Sequence, residues 1–124
     1  MNKTLKNIKQ RAGAIQFGLL RVTDKKEQVT LQVKVAENEG DMLSCLVTDE
    51  MPGQGILNKH VNLIQKYHDD YLYIAGLVKD EMSNGKKILS LEITRASWFV
   101  KKTKGNITWL QQKYLYEPVT DQAA

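Results

Sequence analysis

The stretch from Arg95 to Trp109 carries the densest chemistry in the chain: Arg95, Lys101, Lys102 and Lys104 interleave with Trp98, Phe99 and Trp109. Cations neutralise phosphates and flat rings offer faces on which bases stack, so this mixture suits single-stranded nucleic acid. The same rings also suit closing a core or burying a subunit interface, because aromatic side chains dominate both. Other combinations point to less. His68-Asp69-Asp70 sets an imidazole beside two carboxylates, a group able to hold a metal or act as a base, and equally an ordinary polar turn. Cys45 stands among apolar neighbours, which favours an inert buried thiol over a nucleophile. His60 reads as a packed or helix-end histidine. Gly53-Gln54-Gly55 lacks the Lys-Ser/Thr that completes a phosphate loop. No catalytic, metal or cofactor constellation emerges, and a protein that is not an enzyme is expected.

The charge distribution supports a polyanionic partner. Residues 1–23 hold five basic groups (Lys3, Lys6, Lys9, Arg11, Arg21) and no acid. Residues 93–116 again hold five (Arg95, Lys101, Lys102, Lys104, Lys113) and no acid. The segment between them carries twelve acids against eight bases. If the two ends meet in space they form one positive surface, favourable to phosphate through counterion release. Two solvated tails without a partner would show the same pattern.

These residues must be positioned by a fold that 124 residues can build, which is one domain. A single cysteine excludes an internal disulfide, and with only two histidines it cannot complete an all-Cys/His zinc site. The basic, polar start lacks the apolar core of a secretory signal, and no run approaches a membrane span. A cytoplasmic protein is expected.

Gln28–Ala36 alternates strictly, with Val29, Leu31, Val33 and Val35 on one side, and predicts a half-buried strand. Ala14–Val22 predicts the strand before it, with Ile15, Phe17 and Leu19 on the core face and Gly18 at a bend or bulge. Met42–Thr48 predicts a third strand, with Leu43, Cys45 and Val47 on one face. Ile56, Leu57, His60, Val61, Leu63, Ile64 and Tyr67 recur at three- and four-residue steps and predict an amphipathic helix over Ile56–Tyr67. Tyr71–Lys79 predicts a fourth strand, with Leu72, Ile74, Gly76 and Val78 facing one way. Asn84-Gly85 signals a hairpin into a fifth, Lys87–Thr94, with Leu89, Leu91 and Ile93 inward. The C-terminal third reads as a strand extension folded about Lys101–Asn106, although Ile107, Leu110 and Tyr114 also fit a helix.

The expected fold is therefore all-β with one helix: a five-stranded OB-type barrel, its helix between strands three and four, with a C-terminal strand extension. Residues 1–13 would be a basic arm, 14–116 the barrel domain and 117–124 a flexible tail.

Leu63–Lys79 (LIQKYHDDYLYIAGLVK) resembles the end of the helix and the fourth strand of bacterial single-stranded DNA-binding proteins. Gly85–Ile93 is similar to the following turn and fifth strand, and Met42–Val47 to the third strand. Met42 stands where that family usually carries Trp, the loop between strands one and two is short, and the chain ends in Pro118–Ala124 rather than an acidic, Phe-terminated tip. The resemblance implies largely sequence-independent binding of single-stranded DNA, or of RNA, by a homo-oligomer, dimer or tetramer. The residues expected to carry it are Arg21, Lys34, Tyr73, Lys79, Lys87, Arg95, Trp98, Lys101, Lys102, Lys104 and Trp109, joined at the hairpin tip by Lys86. The competing reading is the same barrel acting as a protein-interaction or oligomerisation module.

Overall fold

Leu5, Ile8, Ala12 and Ile15 recur at helical spacing, and in the computed structural model they form the buried face of helix α1 (Lys3–Ile15). The structure describes residues 3–23, 29–37, 40–48, 56–83 and 87–117. After α1 come β1 (Phe17–Val22), β2 (Val29–Glu37), β3 (Met42–Val47), β4 (His60–Tyr67), β5 (Asp70–Ser83), β6 (Lys87–Lys104) and β7 (Ile107–Tyr116). Six of these strands close an antiparallel barrel in the order β1-β2-β3-β6-β5-β4, with β4 returning to β1. Strand β7 pairs only with β6 and lies outside the closed ring.

Inward alternation fills the barrel. Leu20 and Val22, Leu31, Val33 and Val35, Leu43 and Cys45, Leu72 and Ile74, and Leu89 and Leu91 are all buried. Leu5 and Ile8 of α1 join the same cluster, so the helix is an integral wall. Each such aliphatic side chain contributes about 2 kcal/mol of burial. The helix ends at Gln16, whose φ of 69° is left-handed and whose N–H returns to the Ala12 carbonyl at 3.0 Å. The buried Gln65 amide donates to the carbonyls of Ala12 at 3.0 Å and Phe17 at 3.2 Å, which ties the helix end to the start of β1.

The all-β barrel with one helix is present, but three expectations change. The helix does not lie between the third and fourth strands. Residues 60–67 are β4, a sixth barrel strand, so the segment likened to a helix end is one side of a tight β4–β5 hairpin. Helical spacing arises there because the outward Ile64 is apolar while the inward position 65 is Gln, and Tyr67 keeps the inward phase beside Arg11 of α1 at the strand end. Pairing to β1 and β5 on both sides outweighs that pattern. The helix is instead α1, and residues 3–13 form a helix packed on the core through Leu5, Ile8 and Ala12 rather than a basic arm; even Lys9 is buried, its Nζ donating to the Gly40 carbonyl at 2.7 Å. Finally, β1 faces the other way. Leu20 and Val22 point inward, whereas Phe17 and Leu19 are 62% and 46% exposed. Ile15 belongs to α1, and a one-residue change of phase moves every side chain to the opposite face. Gly18 marks no bulge, since the β1–β2 register runs unbroken from Phe17↔Lys34 to Val22↔Val29. Bulges occur instead in the β5–β6 and β6–β7 ladders. Gly53-Gln54-Gly55, Asn84-Gly85, Lys86 and the tail from Pro118 lie outside the described residues.

Burial pushes the Cys45 thiol up to about 12 from its ordinary 9.0. The unfolded thiol ionises near its ordinary value, while the folded one stays neutral until about 12. Its contribution to stability is therefore complete below pH 9 and is lost as pH rises toward 12, at about 1.4 kcal/mol per pH unit. Denaturant titrations of the wild type and Cys45→Val should diverge above that lower limit, the wild type losing stability faster. Parallel curves would mean that the thiol ionises as readily folded as unfolded.

Candidate nucleic-acid interface

Strand alternation that buries one set of residues aligns the other set across the barrel's outside. Register places Thr30, Arg21, Asn62, Ala75 and Arg95 in one row across β2, β1, β4, β5 and β6. The next row is Gln32, Leu19, Ile64, Tyr73, Ser97 and Leu115. The third begins with Lys34 and Phe17 and continues beyond β1 with Lys66, Tyr71, Phe99 and Gln112. Neighbouring strands are about 4.8 Å apart, so five strands present a face about 20 Å across. None of the three rows contains a carboxylate.

Rings and cations are in contact on this face. The Lys34 Nζ lies 5.2 Å from the Phe17 ring centroid, and the Lys66 Nζ lies 5.5 Å from that of Tyr71. A groove of about 550 Å³ runs over Gly18 between Phe17, Leu19, Ile64 and Lys66. A second hollow, of about 340 Å³, is lined by Asn62, Tyr73, Arg95 and Phe99. Glu117 approaches Arg95 at 3.3 Å, but both side chains are more than half exposed and such pairs contribute little.

The β6–β7 hairpin extends this face and also creates another. Beyond Asp70↔Val100 and the Lys101 N–H that donates to the Asp69 carbonyl at 2.8 Å, β6 pairs with β7 alone among the described residues, and residues 101–110 are exposed on both sides. Its outer side continues the barrel face with Lys101↔Leu110 and Thr103↔Thr108. Its other side carries Trp98↔Tyr114, Lys102↔Trp109 and Lys104↔Ile107. At the root of that side, Asn7, Gln10, Arg11 and Ala14 of α1 meet Trp98, Lys113 and Tyr114 around a cleft of about 360 Å³. The two basic ends of the chain therefore come together. Asp70 organises the root: its Oδ2 accepts from Arg11 Nε and NH2 at 2.9 and 2.6 Å, and its Oδ1 accepts from the Trp98 indole at 3.0 Å. Lys113 lies 4.2 Å from the Trp98 ring centroid.

The residues singled out from the sequence thus separate into groups. Arg21, Lys34, Tyr73 and Arg95 share the outer face, with Lys101 continuing it. Trp98, Lys102, Lys104 and Trp109 are on the opposite side, because alternation divides the Arg95–Trp109 cluster between two surfaces. Trp98 is half-buried against the core and its indole N–H is held by Asp70, which makes it structural. Lys79 sits at the Val78/Asp80 irregularity of β5, away from all three rows, and Lys87 is paired with Glu81 at 3.4 Å. His60 is exposed at the start of β4 rather than packed on a helix. His68 occupies a left-handed turn position against the Tyr67 ring, while Asp70 turns to Arg11 and Trp98. Among the described residues, no three His, Cys, Asp or Glu side chains gather as metal ligands. Phe99 of the Arg95–Trp109 cluster is on this face as well, whereas sequence reasoning misses Phe17, Ile64 and Lys66 as its members. The hidden signal is the outward phase of β1 and β4.

No protein-family model matches the chain, and no curated protein is significantly similar to it. No helix among the described residues is long and apolar enough to cross a membrane.

Proposed function

We propose that the outer face of the barrel binds single-stranded nucleic acid, DNA in the first instance, without strong sequence preference. The observation that carries the reading is the set of three carboxylate-free rows, which bring Phe17, Tyr71, Tyr73 and Phe99 onto one face with Arg21, Lys34, Lys66 and Arg95. Rings supply sequence-tolerant stacking at about 1–3 kcal/mol per base, and the cations follow the phosphates. In this reading the barrel is an OB-type platform of the kind used by bacterial single-stranded DNA-binding proteins, widened by one strand, β4, between the first strand and the closing hairpin. Nothing in it requires a cofactor or a reaction.

The test is fluorescence anisotropy of labelled oligo-dT over a salt series. Binding should weaken with a log–log slope of about −3, since each single-strand phosphate contact contributes about −0.7. A folded protein that fails to bind at about 50 mM salt would overturn the proposal.

One observation favours a second reading, self-association. Strand β7 is paired on one edge only, and Leu110 and Ile107 are 52% and 68% exposed. Sedimentation of the protein without nucleic acid tests this association, and the oligo-dT titration decides whether the barrel face also binds a single strand.

A further inference from the structure

The side of the β6–β7 hairpin that faces away from the proposed single-strand platform has its own chemistry. Lys102 is paired with Trp109 and Lys104 with Ile107, and Lys113 stands at the root beside Arg11. Lys3 and Lys6 are exposed on the adjoining helix α1. Residues 93–116 contain no acid. The turn at the tip is the two residues Gly105-Asn106, with Gly105 at φ +62° and open space around it. That gives a slender end with Ile107 the most exposed large apolar side chain among the described residues, at 68%.

We propose that this hairpin inserts into a groove of duplex nucleic acid adjoining the single strand, so that the protein's substrate is a single-strand/duplex junction. The proposal rests on the single-strand reading of the barrel face. A two-stranded ribbon fits the major groove, which is about 12 Å wide. Lysines along the ribbon and its root would meet the phosphates, while Trp109 and Ile107 lie against base edges, where apolar side chains meet thymine methyl groups. Charge complementarity selects the occupant: Lys102, Lys104 and Lys113 on one carboxylate-free ribbon side repel one another against an uncharged protein surface and are neutralised by a phosphate backbone. The two hairpin sides share the β6–β7 ladder, so a strand crossing the barrel face at Lys101 reaches the hairpin at its paired position, Leu110.

The experiment compares three labelled probes on the full chain: oligo-dT, a blunt duplex, and that duplex carrying a dT overhang. The wild type should bind the overhang duplex at least about tenfold tighter than oligo-dT, with a salt slope steeper by about 3, since each of three duplex phosphate contacts contributes about −0.9. The triple variant Lys102→Gln/Lys104→Gln/Lys113→Gln should lose that gain and that extra slope while its oligo-dT affinity stays at the wild-type value. Equal wild-type affinity for oligo-dT and the overhang duplex overturns the junction proposal and leaves the single-strand reading standing. Absence of oligo-dT binding overturns the single-strand reading itself, and the junction with it. Dimerisation at micromolar concentration that Ile107→Ser abolishes also overturns it, because a second copy would then cover the hairpin.

Discussion

Replacing Arg21, Lys34 and Lys66 together by glutamine should lower oligo-dT affinity about a hundredfold at low salt and flatten the salt slope by about 2. The three residues lie on adjacent strands of one face, β1, β2 and β4, and all are exposed. None makes an ion pair among the described residues, so neutralising them removes no structural charge pair. The loss should fade toward about 1 M salt, where counterion release no longer drives binding. Tyr73→Ala on the same face should behave differently. It removes a stacking surface worth about 1–3 kcal/mol and leaves the slope unchanged, so its defect should persist at high salt. Circular dichroism and melting of the triple variant should match the wild type. A slope that stays at the wild-type value in the triple variant would move the phosphate path off this face.

Gly76→Ala should be among the most damaging single substitutions to the fold. A Cβ at position 76 would come within 2.7 Å of the Glu92 backbone carbonyl oxygen and 3.6 Å of the Leu91 Cβ. Real Cβ atoms do not approach that closely, and backbone cannot swing aside as a flexible side-chain tip can. The site is also where the β5–β6 register shifts, between Ala75↔Arg95 and Gly76↔Ile93, with the Thr94 hydroxyl donating to the Ala75 carbonyl at 3.2 Å. A methyl group would pry the longest ladder in the barrel apart at its bend. The expected cost is about 3 kcal/mol, at the upper end of overpacking penalties, and a melting temperature lower by about 10 °C. Gly40→Ala is the control: its φ of +65° carries left-handed strain, but nothing lies within 4 Å, so about 1 kcal/mol is expected. Equal losses at the two positions would show that conformation and not crowding governs Gly76.

The strands with strict alternation and an aliphatic inward set are legible from their residues alone. Leu31, Val33 and Val35, Leu43, Cys45 and Val47, Leu72 and Ile74, and Leu89 and Leu91 all face the core as their period of two requires. Two elements escape that pattern for one reason. In β4 the inward position 65 is polar while the outward Ile64 is apolar, and in α1 the buried stripe contains Lys9. In both, the buried donor has partners: the Gln65 amide nitrogen donates to the Ala12 and Phe17 carbonyls while its Oε1 is left without a partner among the described residues, and Lys9 donates to the Gly40 carbonyl. Their partners are distant in sequence, so no local pattern can announce them. The Arg95–Trp109 cluster stands out in the sequence as one group of rings and cations; alternation along a two-stranded ribbon divides it between two surfaces.

What the chain determines by itself is its store of materials: mostly β structure, a buried inert thiol at Cys45, basic ends around an acidic middle, and rings interleaved with cations. Those properties follow from composition and short-range periodicity, which act within a few residues. Only the tertiary structure decides which rings and cations share a surface. That choice depends on the phase of β1, set by the left-handed turn at Gln16, on the register of β4 between β1 and β5, and on α1 meeting β7 across the Arg11–Asp70–Trp98 cluster. Each is a contact between segments far apart in the chain, so the proposed binding face follows from barrel closure rather than from any one stretch of residues.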